Sequence, residues 1–177
     1  MDAKVGKMKR VVDCVAVSGD DDYALCGTRT GELLRVNVNR DPIKDYNDPD
    51  AVVPRLEGVS RERYGAGLNS VCVLQNASKD GFDVVACGAG DGTLAFYTPD
   101  LRRFKKWGSE VRGGVTSLNA TSSEPGLAGL VVGTDQGNRY TLALGGDPVL
   151  RGTAHVGPVF DVVFPAYAPA ERRRRRP

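Results

Sequence analysis

Three times this chain closes an apolar stretch on a small residue and glycine, crosses a short polar turn, and restarts at a second glycine. The copies are Cys26-Gly27-Thr28-Arg29-Thr30-Gly31, Cys87-Gly88-Ala89-Gly90-Asp91-Gly92 and Val132-Gly133-Thr134-Asp135-Gln136-Gly137. The last two start 45 positions apart, at Gly88 and Gly133, and the first two 61 apart, at Gly27 and Gly88. Short strands recurring about every 45 residues have the spacing of β-propeller blades. One such sheet cannot bury both of its faces alone and needs neighbours. The recurrence therefore points to a stacked assembly with extended surface for partners before it points to an enzyme.

The stretches between the glycines read as strands. Val11-Val12-Asp13-Cys14-Val15-Ala16-Val17 is nearly continuous in apolar residues, as an innermost strand buried on both faces would be. Ser18 to Asp22 is a polar turn, Tyr23 to Cys26 a second strand and Glu32 to Val38 a third, with a short outer strand between Ala51 and Leu56. The proline- and aspartate-rich stretch from Asn39 to Pro54 reads as a surface loop. In the second copy the strands fall at Leu68–Leu74, Asp83–Cys87 and Thr93–Thr98, with Arg103-Phe104-Lys105-Lys106-Trp107 as the outer one. In the third they fall at Val115–Ala120, Leu127–Val132, Asn138–Leu144 and Pro148–Thr153, and Val159–Pro165 begins a further blade. No segment has a helical period. The expected fold class is all-β: a partial propeller of about three four-stranded blades plus the first strand of a fourth. The blades are expected over residues 11–56, 68–112 and 113–155, with the next begun over 156–165. An N-terminal extension precedes them over 1–10, and an Arg-rich disordered tail follows over 166–177.

Charge and cysteine usage narrow the function classes. The net charge of +2 comes from Arg172 to Arg176; without residues 166–177 the chain carries 19 basic and 21 acidic side chains. Overall charge therefore gives no argument for a nucleic-acid partner. Cys14, Cys26, Cys72 and Cys87 lie in apolar runs without a Cys-x-x-Cys pair, and read as reduced, buried small hydrophobes. The only histidine is His155, so no zinc set is expected. Met1 to Arg10 lacks the apolar core of a signal peptide, and no run is long enough to span a membrane, so the expected compartment is the cytoplasm.

The candidate sites have modest readings. Gly27, Gly31, Gly88, Gly92, Gly133 and Gly137 are read as structural turn glycines. A nucleotide fingerprint at Gly88 to Gly92 would need glycine at Thr93 and a following helix, and a strand pattern follows instead. Asp20-Asp21-Asp22 lacks the glycine and distal glutamate of a calcium loop and reads as a solvated turn. His155 has no nucleophile placed beside it by a recognisable motif. No catalytic residue, cofactor or metal ligand is assigned. Lys105, Lys106 and Trp107 are the candidate partner contact, an aromatic beside charges. Arg172 to Arg176 read as a solvated tail.

This organisation resembles the WD-repeat family. The family's Trp-Asp pair would fall at Val36-Asn37, Tyr97-Thr98 and Leu142-Ala143, so its signature is degenerate in all three copies. A more specific resemblance is to the axonemal WD-repeat proteins of motile cilia and flagella. It is carried in order by Gly27 to Asn37, Pro42-Ile43-Lys44, Gly58-Val59-Ser60, Gly113 to Leu118, Val132-Gly133-Thr134 with Tyr140, and Asp161 to Pro165. The resemblance implies a non-enzymatic scaffold at the cytoskeleton of the ciliary axoneme. Its implied partners are tubulin and other axonemal proteins, with no nucleic acid, membrane or small-molecule substrate. It also implies an interior piece of two tandem propellers, truncated after Pro165. The alternatives are a general propeller adaptor in another cytosolic complex, or a propeller enzyme with a polar site in its central channel.

Three blades and one strand cannot close a ring, which leaves sheet faces open. The isolated chain is therefore expected to self-associate. A monodisperse monomer with a cooperative melt, read by light scattering and calorimetry, would contradict this.

Overall fold

The computed structural model describes residues 2–5, 8–38, 55–78, 80–121, 129–153 and 157–161. Its regular elements are three antiparallel sheets. The first contains β1 (Asp2–Val5), β2 (Met8–Val17), β3 (Tyr23–Thr28), β4 (Leu33–Asn37) and β5 (Arg55–Val59) in chain order. The second contains β6 (Leu68–Leu74), β7 (Val84–Ala89), β8 (Thr93–Tyr97) and β9 (Ser109–Glu110). The third contains β10 (Val115–Ala120), β11 (Gly129–Thr134), β12 (Asn138–Ala143) and β13 (Val149–Thr153).

The period of two in a strand sorts the middle sheet's side chains onto two faces. Val85, Cys87 and Ala89 of β7 and Ala95 and Tyr97 of β8 pack with Tyr23, Leu25 and Leu33 of the first sheet. Their alternates Val84, Ala86, Leu94 and Phe96 pack with Val115, Leu130, Val132 and Leu142 of the third. The core is thus two apolar layers, each lying between successive blades.

One contact recurs at every junction. A Cβ built on Gly27 of β3 would lie 2.9 Å from Leu68 Cβ, and one on Gly88 of β7 would lie 2.7 Å from Val115 Cβ. One on Gly133 of β11 would lie 2.7 Å from Val159 Cγ1. Leu68 and Val115 open the inner strands of the second and third blades, and Val159 takes the same place at the third blade's own far side. These three glycines sit inside strands and are not turn residues, which corrects their sequence assignment. The hairpin turns are made by Gly31, Gly92 and Gly137, with left-handed φ of 81°, 92° and 77°.

Each inner strand also carries a bulge at one repeated place: at Asp13 in β2, at Asn69 in β6 and at Thr116 in β10. The bulge residue, or the one after it, reaches the next blade's first inner residue. Cys14 Sγ donates to the Leu68 carbonyl (3.3 Å) and Asn69 Nδ2 to the Val115 carbonyl (3.1 Å), while Thr116 Oγ1 donates to the Val159 carbonyl.

Three further expectations are corrected. The first inner strand is not buried on both faces: Cys14 and Ala16 pack against the second blade, whereas Val15 is 51% and Val17 52% exposed. At the internal junctions the corresponding Val71 and Leu118 are covered by the blade before them, and no described blade precedes β2. The outer strand of the first blade is shifted to Arg55–Val59, because Val59 and Leu56 pair with Leu34 and Val36. Residues 103–107 are not a continuous strand: Arg103 makes an isolated antiparallel bridge to Tyr97 of β8, and the pairing stops there. They contain a single 3-10 turn over Lys105–Trp107, and the outer strand is the two-residue β9. The expected loop over 39–54, the residues after 161 and His155 lie outside the described residues.

The Gly88→Ala variant should lose about 1–3 kcal/mol through overpacking against Val115. Gly65→Ala, where an added Cβ meets nothing within 4 Å, should change stability by less than about 0.5 kcal/mol. Urea denaturation of the two variants checks this; equal midpoints would contradict the close blade contact.

Candidate interaction surface

Trp107 is drawn into the structure by its neighbours. In a 3-10 turn residues three apart lie on one side, whereas in a strand they would face opposite ways. Phe104 and Trp107 accordingly stack, with centroids 4.4 Å apart and planes 14° apart, and Trp107 meets Phe96 edge-on at 6.3 Å. The indole also approaches the turn at Gly145 in the third blade, where an added Cβ would lie 3.1 Å from Nε1. Trp107 thus fastens the second blade's rim to the third, while Lys105 and Lys106 beside it are exposed. The segment is held from both ends. Phe104 N–H donates to the Phe96 carbonyl (2.8 Å), and Thr98 N–H to the Arg102 carbonyl (2.9 Å).

The β3–β4 turn of the first blade holds a charged cluster absent from the sequence reading. Glu32 is 5% exposed and accepts from Arg10 Nε (2.7 Å) and Nη2 (3.2 Å), from Arg63 Nη2 (2.6 Å) and from Thr30 Oγ1 (3.1 Å). The Arg10 hydrogen bond, with help from Arg63 and Thr30 and against the cost of burial, pulls its carboxyl down to about 2. This ties β2, the turn and the segment leading to the second blade together. Thr28 Oγ1 closes the same turn, donating to the Glu32 carbonyl and accepting from Glu32 N–H (3.0 and 2.9 Å). Thr134 does likewise with Asn138 in the third blade, while Ala89 stands at that place in the second.

Tyr97, at the family's tryptophan position, is fully buried, and its hydroxyl lies 2.7 Å from that of Tyr64. Burial raises the thiols of Cys14, to about 12, and of Cys26, Cys72 and Cys87, so they remain protonated near neutral pH. Asp20 bonds its own turn through Asp22 N–H (3.2 Å), and no three metal-ligating side chains gather among the described residues. Gly88 to Gly92 form a strand end and a hairpin turn, with Asp91 Oδ1 accepting from Thr93 N–H (3.0 Å). The arrangement among the described residues is chemically one of mutual fastening between blades, with charged side chains left on the rim.

Sequence reasoning missed Asn69 and Thr116 as junction donors. Their signal is the polar residue directly after the first apolar one of each inner strand: Val12-Asp13, Leu68-Asn69 and Val115-Thr116. Glu32 had no such mark, because Arg10 and Arg63 lie far from it in sequence. Arg172 to Arg176 are outside the described residues.

No family model matches the chain. It is 26% identical over 166 residues to cilia- and flagella-associated protein 52 of Bos taurus, an overlap covering 93% of this chain and 23% of that one. The protein of the same name from Chlamydomonas reinhardtii is 28% identical over 166 residues, covering 93% of this chain and 24% of the relative. The chain therefore spans about a quarter of the length of the curated relatives it matches. Among solved structures, the WD40 repeats of RRP9 superpose with a TM-score of 0.65 at 12% identity, covering 91% of this chain and 43% of that one. The computationally designed Ika4 protein gives 0.61 at 14% identity, covering 88% and 81%. The fold is a partial WD-repeat propeller, and the chain resembles the cilia- and flagella-associated relatives along nearly its whole length.

The Glu32 cluster sets an acid limit on stability. A carboxyl held below its ordinary 4.5 stabilises the fold above that pH, and the contribution is lost as pH falls from about 4.5 toward about 2. The melting temperature should fall steeply across this interval, and less steeply in Glu32→Gln. Parallel curves for the two proteins would contradict the assignment.

Proposed function

We propose that the chain is a non-catalytic interaction scaffold of motile cilia and flagella. It sits in the axonemal cytoskeleton, in contact with tubulin and neighbouring axonemal proteins, inside the doublet microtubule. The observation that carries this reading is the 166-residue similarity to cilia- and flagella-associated proteins of Bos taurus and Chlamydomonas reinhardtii. The junction chemistry agrees with it. Asn69 and Thr116, the polar side chains at the bulges, bond the neighbouring blade. Protonated thiols are poor nucleophiles. A stack fastened in this way keeps its loops at fixed spacing and can bridge several subunits at once, which stiffens a lattice by shape rather than by chemistry.

The test is fractionation. The tagged chain, expressed in ciliated cells, should remain with demembranated axonemes through salt extraction and copurify with tubulin. Recovery of the chain in a soluble complex, with none on axonemes, would overturn the reading in favour of a general adaptor.

A further inference from the structure

The rim of the second blade differs from the other two in a way that displays charge. The first and third blades end in five-residue outer strands, Arg55–Val59 and Val149–Thr153, whereas β9 has two residues. The place of the missing strand is taken by residues 101–107, Leu-Arg-Arg-Phe-Lys-Lys-Trp, which hold four cations and no acid. Elsewhere Arg10, Arg29, Arg35 and Arg63 each face a carboxylate, and the exposed Arg61, Arg112, Arg139 and Arg151, though without an ion pair among the described residues, do not stand in a run of like charge. Among the described residues, Arg102, Arg103, Lys105 and Lys106 have no ion pair; the half-buried Arg103 lies over the Tyr64 ring (5.9 Å to its centroid), and Arg102, Lys105 and Lys106 are the exposed cations. The backbone beneath them is fixed by Phe104, Trp107 and Phe96 and by the bonds to Thr98 and Phe96, so the cations stand on a rigid turn.

Resting on the scaffold reading above, we propose that this turn is a docking site for an acidic peptide segment, whose carboxylates meet Lys105 and Lys106 with Arg102 beside them. Charge complementarity selects the partner's sign, and the fixed turn lowers the ordering cost of binding. A peptide fits better than a nucleic acid. Single-stranded binding needs aromatic faces free for base stacking, and the Phe104 and Trp107 rings are stacked on each other and against Phe96. A membrane surface fits less well for a similar reason, since these rings are the turn's only aromatic anchors and both are engaged inward.

The test is fluorescence anisotropy with a fluorescein-labelled oligo-glutamate peptide and the full chain. Arg172→Gln through Arg176→Gln are introduced in every sample, so that the C-terminal arginines cannot bind the probe. Binding should weaken as salt rises, since the Debye length is about 8–10 Å near physiological salt. Lys105→Glu with Lys106→Glu should weaken it about tenfold or more, and Arg102→Gln by a smaller factor. Melting curves should be unchanged, because both lysines are exposed. Equal affinity in the doubly substituted chain would overturn the proposal. So would tighter binding, at the same turn, of a single-stranded oligonucleotide of equal charge or of phosphatidylserine vesicles. The assay needs no axoneme, so this proposal and the axonemal placement fail separately.

Discussion

The architecture depends on how closely one sheet can approach the next. Where β3, β7 and β11 pass the start of the following inner strand there is no room for a side chain, and glycine stands at each place: Gly27, Gly88 and Gly133. Leu68, Val115 and Val159 fill the space so made. A hydrogen bond to the carbonyl of that same residue then holds the approach, from Cys14, Asn69 and Thr116 in turn. Steric absence and polar fastening thus act at one point, and the two apolar layers extend outward from it. Because close-packed interiors resist even one added methyl group, the spacing is discrete rather than adjustable.

Around this frame the polar groups divide into those that hold blades and those that face outward. Glu32 with Arg10, and the Tyr64–Tyr97 pair, are buried or nearly so and belong to the first group, and the exposed Arg63 closes on Glu32 from the surface. Lys105 and Lys106 belong to the second, although they adjoin Trp107, which belongs to the first. One 3-10 turn performs both tasks because its i and i+3 side chains point inward while those between point out. The stacking of Phe104 on Trp107 is therefore the reason the two lysines are presented together.

Much of this was legible in the sequence. The glycine-punctuated strands, their grouping and the inner strand positions could be read because alternation and hairpin glycines are local signals. The division of labour among the glycines was not, since positive φ and close approach of another strand both select glycine, and only coordinates separate Gly31 from Gly27. The rim turn misled for a related reason. Arg103 to Trp107 alternate bulky and charged residues as a strand would, but Phe104 and Trp107 are three apart, and ring stacking outweighed strand pairing. The Glu32 cluster was hidden by sequence distance, because Arg10 and Arg63 lie 22 and 31 positions from it.

The most direct measurement of the blade contact is a double-mutant cycle between Gly88→Ala and Val115→Ala, followed by chemical denaturation. If the two residues meet as described, trimming Val115 to alanine removes the Cγ1 nearest an added Cβ on Gly88 and relieves part of the crowding, while the Val115 Cβ stays in place. The double variant is then more stable than the sum of the single losses predicts, by about 0.5 kcal/mol or more. Strict additivity would mean that Gly88 and Val115 do not touch, and the stacked-blade account would fail with them.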